Sequence, residues 1–143
     1  YDPAFPRSSS ARNSSTLSSN QAEFHYDDII LASYNPDGEV EWEDILYKRQ
    51  FSRDDGGLQS SFFIMKTPSD VRFLYNDEIK NNTSVSEYIM NRKGDTERKN
   101  VLDTDGYNLK LLFKNGRQIN SKDILIPSIK KRTLKLVRIR YNN

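Results

Sequence analysis

The densest group of chemically capable residues is the segment KRQFSRDDGGLQSS, residues 48–61. Two cations stand beside an amide, two aspartates precede two glycines, and two serines close the segment. These residue types occur in phosphate-binding loops, calcium loops, catalytic sites and turns between strands. Their spacing distinguishes between the four kinds of site.

The spacing argues against a phosphate-binding loop and against a calcium loop. A phosphate loop needs a glycine-rich turn that opens a helix, whereas Gly56 and Gly57 lead into a predicted strand. Asp54 and Asp55 have oxygens that suit a cation, but Arg49 and Arg53 lie close enough in sequence to neutralise them. The segment therefore predicts an ion-paired loop in which Arg49 binds one of the two aspartates.

Catalytic constellations are equally hard to assemble from this sequence. Cysteine is absent and His25 is the only histidine, so a Ser/His/Asp triad would have to use His25. His25 stands at the start of a predicted strand, and the sequence contains no G-x-S-x-G elbow. Asp103 and Asp105-Gly106 begin like an EF-hand loop, but its later glycine and glutamate are missing. The sequence predicts no catalytic residue, no metal ligand and no cofactor.

The remaining interpretation of the segment is a structural loop. Its predicted members are Lys48, Arg49, Gln50, Asp54, Asp55, Gly56, Gly57, Ser60 and Ser61. Gly56 and Gly57 are expected to supply positive φ angles, and Ser60 and Ser61 to open the next strand by hydrogen-bonding the loop backbone.

The elements around this loop predict an all-β fold of antiparallel strands. Short segments of alternating apolar and polar residues are separated by turn residues throughout. The predicted hairpin turns are 35–38, 67–70, 105–106 and 130–132. Ser86–Met90 fits a strand and a helical turn equally well. Strand 133–141 has apolar residues on both faces, which predicts a position between two layers.

The strand pattern divides the chain into four parts. These are a serine-rich extension or linker (1–22), a four-stranded unit (23–78), a polar connection (79–99) and a second four-stranded unit (100–143). Repeated four-stranded units of this size predict two propeller-like blades, either a fragment of a larger β-propeller or a small closed β structure. The predicted core comprises Trp42, Phe62, Ile64, Phe73, Leu111, Leu136 and Ile139.

Composition limits the classes of partner. The 143 residues carry a net charge of +2, which gives no whole-chain argument for nucleic acid, and no apolar run is long enough for a transmembrane helix. The sequence from Ser121 onward contains seven basic residues and one acidic residue. This basic stretch is compatible with a polyanion-binding surface. The favoured interpretation is that the charges lie at a hairpin tip and along an edge strand, where they discourage aggregation.

Residues 24–141 resemble a recurrent segment of uncharacterised Bacteroidota cell-envelope and secreted proteins. The matching positions are Trp42, Lys48, Arg49, Gln50, Ser52, Asp55, Gly56, Ser60, Ser61, Asn76 and Asp77. The resemblance implies a C-terminal pair of propeller-like blades in a periplasmic, outer-membrane-associated or extracellular protein. It implies no reaction.

These observations predict a non-enzymatic scaffold or protein-binding module of a bacterial cell-envelope or secreted assembly. Its partner would be another protein or the missing upstream blades of the same precursor. The alternative is a carbohydrate-binding, lectin-like or carbohydrate-active β protein, in which tyrosines stack on sugars. The tyrosines in question include Tyr26, Tyr34, Tyr47 and Tyr75.

Overall fold

The computed structural model describes residues 22–77, 84–107 and 109–142, which form antiparallel β-strands and no α-helix. The strands are β1 (Glu23–Tyr26), β2 (Ile29–Tyr34), β3 (Val40–Leu46), β4 (Gln50–Arg53), β5 (Phe62–Lys66), β6 (Asp70–Asn76), β7 (Ser84–Asn91), β8 (Thr96–Asp103), β9 (Arg117–Gln118), β10 (Asp123–Lys130) and β11 (Thr133–Arg140). Single 3₁₀ turns occur at Asp105–Tyr107 and Phe113–Asn115. The all-β prediction is confirmed. None of these residues forms a helix that is able to cross a membrane.

The described strands form four open sheets. β1 pairs with β4, β2 with β3, β5 to β8 follow one another in a four-stranded meander, and β10 lies between β11 and β9. The sequence instead predicted two sheets of four strands. β7 and half of β8 lie in 79–99, for which a connection was predicted. β8 is an edge strand with mostly exposed side chains, and its polar sequence therefore resembles a loop.

Local turn chemistry explains which predicted hairpins form. The side-chain oxygen of Asn35 accepts hydrogen bonds from the Asp37 and Glu39 amides, and Gly38 has φ +87°. The predicted turns at 35–38, 67–70 and 130–132 all join paired strands. The hairpin at 105–106 was wrong, because Gly106 lacks the positive φ of a tight hairpin turn and belongs to a 3₁₀ turn.

The β5–β8 sheet is the middle layer of three. Leu74 of β6 faces the C-terminal sheet, in a core formed by Met65, Leu74, Val85, Leu111, Phe113, Ile124 and Ile126. The adjacent Phe73 faces the opposite way and packs with Ile29 and Leu46 of the β2–β3 hairpin. Successive residues of a strand point to opposite faces, so β6 joins both cores.

The structure buries some of the predicted core residues and exposes others. Phe73 and Leu111 are buried, as predicted, and Trp42, Phe62 and Ile139 are partly buried. Ile64 and Leu136 were wrong, because their exposed fractions are 44% and 64%. Both lie on edge strands, β5 and β11.

Candidate functional site

The two aspartates of segment 48–61 bind the loop itself. Asp55 Oδ1 accepts hydrogen bonds from the Ser52 hydroxyl at 2.7 Å and from the Gly57 amide at 2.8 Å. Asp54 Oδ1 accepts one from the Ala22 amide at 3.0 Å. These carboxylates stabilise turn backbone, which reduces their capacity to bind a cation. Among the described residues, no cluster of three or more acidic or histidine side chains is arranged to hold a metal ion.

Arg49 does not form the predicted ion pair. Its side chain is exposed, and no described carboxylate lies within ion-pair distance. Lys48, Gln50 and Ser52 are buried, and strand alternation therefore directs Arg49 away from the loop. The glycine prediction is confirmed, since Gly56 and Gly57 have φ +66° and +68°.

Lys48 is a buried cation that binds neutral oxygens. Its ammonium donates hydrogen bonds to the Tyr26 carbonyl at 2.6 Å and to Gln50 Oε1 at 2.9 Å. Burial lowers the pKa of Lys48, and the nearby carboxylates of Asp27 and Asp28 oppose this shift. The ammonium therefore links the Tyr26 backbone of β1 to the Gln50 side chain of β4.

Asn76, at the end of β6, links three parts of the chain. Its carbonyl accepts a hydrogen bond from Gln50 Nε2 at 2.7 Å. Its own Nδ2 donates to the carbonyls of Gln59 at 2.7 Å and Leu111 at 2.8 Å. The Gln50 side chain also accepts from the Ser61 amide at 2.9 Å, and the Ser60 amide donates to a carbonyl of the loop. Segment 48–61 is thereby fixed to the central sheet.

His25 stands apart from nucleophilic side chains. Its Nε2 lies 3.7 Å from Glu23 Oε2, and its ring packs on Phe51 with centroids 4.9 Å apart. No hydroxyl of the described residues hydrogen-bonds to the imidazole. His25 therefore lacks the partners of a Ser/His/Asp triad in this part of the chain.

A cleft of about 230 Å³ beside Trp42 is a candidate carbohydrate-binding site. Besides Trp42, residues that line it include Pro68, Asp70, Met90 and Arg92. Its polar groups already bind within the protein. Asp70 binds Arg72 and Ser69, and Arg92 donates to the Pro68 carbonyl at 2.6 Å. Few polar groups of the cleft remain to orient a sugar.

The β10–β11 ribbon presents exposed apolar side chains on its outer face. On its outer face Ile129 lies opposite Leu134, and Pro127 lies opposite Leu136. The exposed fractions of Ile129, Leu134 and Leu136 are 46%, 63% and 64%. The sequence predicted burial here because apolar side chains occur on both faces of β11. The inner face is packed at Val137 and Ile139, whereas Leu134 and Leu136 on the outer face are mostly exposed.

β11 also has an unpaired side. In the sheet order β11-β10-β9 it lies at the edge, so the side of β11 away from β10 has no strand partner among the described residues. We call this side the free edge. Lys131, Arg132 and Lys135 are exposed along the ribbon and form no ion pair with a described carboxylate. The ribbon thus combines apolar side chains, positive charge and backbone able to pair.

Asp123 fixes the other end of the ribbon. It accepts hydrogen bonds from Arg138 at 3.0 and 2.8 Å and from Arg140 at 2.8 and 3.2 Å. Asn120 Nδ2 donates a further bond at 2.8 Å. Hydrogen bonds from Arg138, Arg140 and Asn120 hold the pKa of Asp123 well below its usual range. The two arginines bound to this carboxylate are less available to a ligand than the lysines at the ribbon tip.

Asp123 is expected to make stability acid-sensitive. The folded carboxylate resists protonation, so its stabilisation is complete above the unfolded pKa of about 3.9 and is lost as pH falls toward the folded pKa. Asp123→Asn should be less stable at neutral pH and show a shallower loss below pH about 4. Urea unfolding as a function of pH measures this, with the exposed turn residue Asp37→Asn as control. Parallel acid profiles for Asp123→Asn and the parent would contradict it.

Comparison with known proteins was made at three levels. No family model, no curated protein and no solved structure matches the chain. The resemblance to Bacteroidota envelope proteins therefore stays a prediction. The choice between candidate functions therefore depends on the geometry of the described residues.

Proposed function

We propose that this protein is a non-enzymatic β module that binds a protein partner in a bacterial cell-envelope or secreted assembly. One observation carries the proposal: β11 has a free edge and an exposed apolar outer face, on which Leu134 and Leu136 project. An exposed strand edge accepts an added strand through backbone hydrogen bonds, and side-chain pockets or patches then select the sequence.

The charges of the ribbon favour an acidic partner over a second copy of this chain. Edge-to-edge pairing of two β11 strands would bring together two rows of cations, in which Lys135 has no described ion-pair partner and Arg138 and Arg140 share one carboxylate. Like charges opposite each other destabilise a strand pair, whereas opposite charges stabilise it. The proposed occupant is therefore an extended protein segment in which acidic and apolar side chains alternate.

The envelope location and the propeller-like architecture belong to this proposal through the family resemblance. The β5–β8 meander supports the second point, because four antiparallel strands in sequence order make up one blade of a propeller. A strand from upstream blades of the same precursor is a further source of the proposed segment.

The carbohydrate alternative has less support. Tyr75 is fully buried, while Tyr34 and Tyr47 are exposed. These two residues mark opposite ends of the β2–β3 hairpin, about 20 Å apart along roughly six strand residues, too far to stack on one sugar. The cleft beside Trp42 has its polar groups engaged, as described above.

Binding of a model strand tests the proposed role. The probe is a peptide of alternating glutamate and valine, as long as β11, with a lysine–valine peptide as the charge-reversed comparison. The parent should bind the acidic peptide, and Leu136→Glu should weaken binding about tenfold or more, since the new carboxylate would be buried against like charge. Fluorescence anisotropy measures both affinities.

Leu58→Glu is the matched control, because Leu58 is an exposed leucine of the 48–61 loop, in a different sheet region from β11. It adds the same charge and should leave peptide affinity unchanged. Equal binding of the acidic and basic peptides, or full binding by Leu136→Glu, would overturn the proposed role.

A further inference from the structure

A cavity lies on the inner face of the β10–β11 ribbon. It has a volume of about 320 Å³ and is lined by Ser128, Lys130, Lys131, Thr133 and Lys135. By strand alternation these side chains are on the opposite face from Leu134 and Leu136. The cavity therefore lies on the opposite face of the ribbon from the apolar part of the proposed protein-binding surface, and the two share Lys135.

The cavity concentrates positive charge. Lys130, Lys131 and Lys135 form no ion pair with any carboxylate in the described part of the chain. Three lysines that have no ion-pair partner among the described residues line one concave space, and concave walls focus the field in favour of an anion. An anionic ligand would relieve their mutual repulsion.

Two hydroxyl groups complete the donor set. Ser128 is buried, and its Oγ accepts a hydrogen bond from the Lys110 amide at 2.8 Å. A hydroxyl that accepts one bond still has a proton to donate, and no described group accepts the Ser128 proton. The Thr133 hydroxyl lines the same space. The cavity thus offers ammonium and hydroxyl donors together.

The backbone at Lys131 is strained. Its φ is +54°, in the left-handed region where a side chain is disfavoured and glycine is the usual residue. A glycine would relieve this strain in the two-residue turn between β10 and β11. A lysine with this φ is the kind of backbone outlier that occurs at functional sites.

We propose that this cavity binds the phosphate monoester group of a small organic molecule. Lysines act as point charges toward phosphate, and no arginine fork suited to a planar carboxylate lines the cavity. A phosphate monoester has a charge of about −1.5 to −2 at neutral pH, which suits three cations better than a singly charged sulfate ester. The volume lies at the lower end of small-molecule sites, about 300–1,000 Å³.

Calorimetric titration of the full chain tests the inference with three probes. Glucose 6-phosphate should bind, glucose 6-sulfate should bind more weakly, and glucose should give no signal. Lys135→Gln should weaken glucose 6-phosphate binding about tenfold, since one of three close charges is lost. Lys93→Gln, at an exposed lysine in the β7–β8 turn, is the control and should leave affinity unchanged.

Lys131→Gly tests whether the Lys131 side chain contributes to phosphate binding or only to the structure of the turn. It should raise the midpoint of thermal unfolding by about 2–6 °C and at the same time weaken glucose 6-phosphate binding about tenfold. A more stable protein with weaker binding supports the site. Unchanged affinity in Lys131→Gly, or equal signals from glucose and glucose 6-phosphate, would overturn it. Leu136→Glu should leave the affinity for glucose 6-phosphate unchanged. A failure of the protein-binding role can therefore be distinguished from a failure of this inference.

Discussion

Replacing Arg72 by methionine is expected to lower the free energy of unfolding by about 3–5 kcal/mol. Arg72 Nε donates to Asp70 Oδ1 at 2.9 Å, and its Nη1 donates to Glu87 Oε1 at 3.0 Å. All three side chains are largely buried. Methionine would fill much of the volume but leave two carboxylates without their cation, and that loss is the main cost.

Tyr141 extends this ionic network to the C-terminal sheet. Its hydroxyl donates to Glu87 Oε2 at 2.7 Å, and the Arg72 guanidinium lies 4.4 Å from its ring centroid. Burial, followed by the Glu87 carboxylate, raises the pKa of the Tyr141 hydroxyl, so the phenol stays a donor at neutral pH. Arg72 therefore stabilises the packing of two layers as well as its own sheet.

Urea unfolding of Arg72→Met against Lys99→Met measures the effect. Lys99 pairs with Glu97 on the exposed face of β8 at 3.0 Å, and loss of an exposed pair costs about 0–1 kcal/mol. A loss in Arg72→Met no larger than in Lys99→Met would show that the buried network does not hold the layers together.

Asn76→Ala is expected to cost about 2–5 kcal/mol, because it removes the donor from one buried and one part-buried carbonyl group. These are the carbonyls of Gln59 and Leu111, which belong to the 48–61 loop and to the C-terminal half of the chain. Asn76 itself is almost fully buried, so water cannot replace the lost bonds without opening the structure. The loop should loosen along with the loss of global stability.

Two further variants make this prediction specific. Asn76→Asp keeps the shape but has no donor when ionised, and it should be at least as destabilising as alanine. Asn100→Ala, at an exposed position of β8, should change stability by less than about 0.5 kcal/mol. Chemical unfolding of the three variants provides the comparison. An Asn76→Ala protein as stable as Asn100→Ala would contradict the linking role.

The fold class and several turns were predictable from sequence because their causes are local. Asn35 and Gly38 form the β2–β3 turn through an Asx hydrogen-bond pattern and a positive φ. Burial was less predictable, because it depends on which layer covers a strand. β6 and β11 both have apolar residues on two faces, yet Phe73 is covered by the β2–β3 hairpin and Leu136 is covered by nothing in the described chain.

The candidate site was hidden for the same reason. Apolar residues in 133–141 predicted a buried strand, and the cations of the ribbon tip were interpreted as an ordinary hairpin end in preference to a polyanion-binding surface. In segment 48–61 the residue types correctly indicated a hydrogen-bonded loop with glycines at positive φ. The partner of Asp54 could not be read from sequence spacing, because Ala22 is distant in sequence, and the alternating burial of residues 48–52 turns Arg49 outward.

Hydrogen–deuterium exchange with the alternating glutamate–valine peptide tests the central claim most directly. A strand that pairs with the free edge would protect those amides of β11 that point away from β10, which lack strand partners among the described residues. The account predicts slower exchange across Thr133–Arg140 on peptide addition and no change in β1. Unchanged exchange in β11 while the peptide is bound would contradict a protein-binding role for this edge.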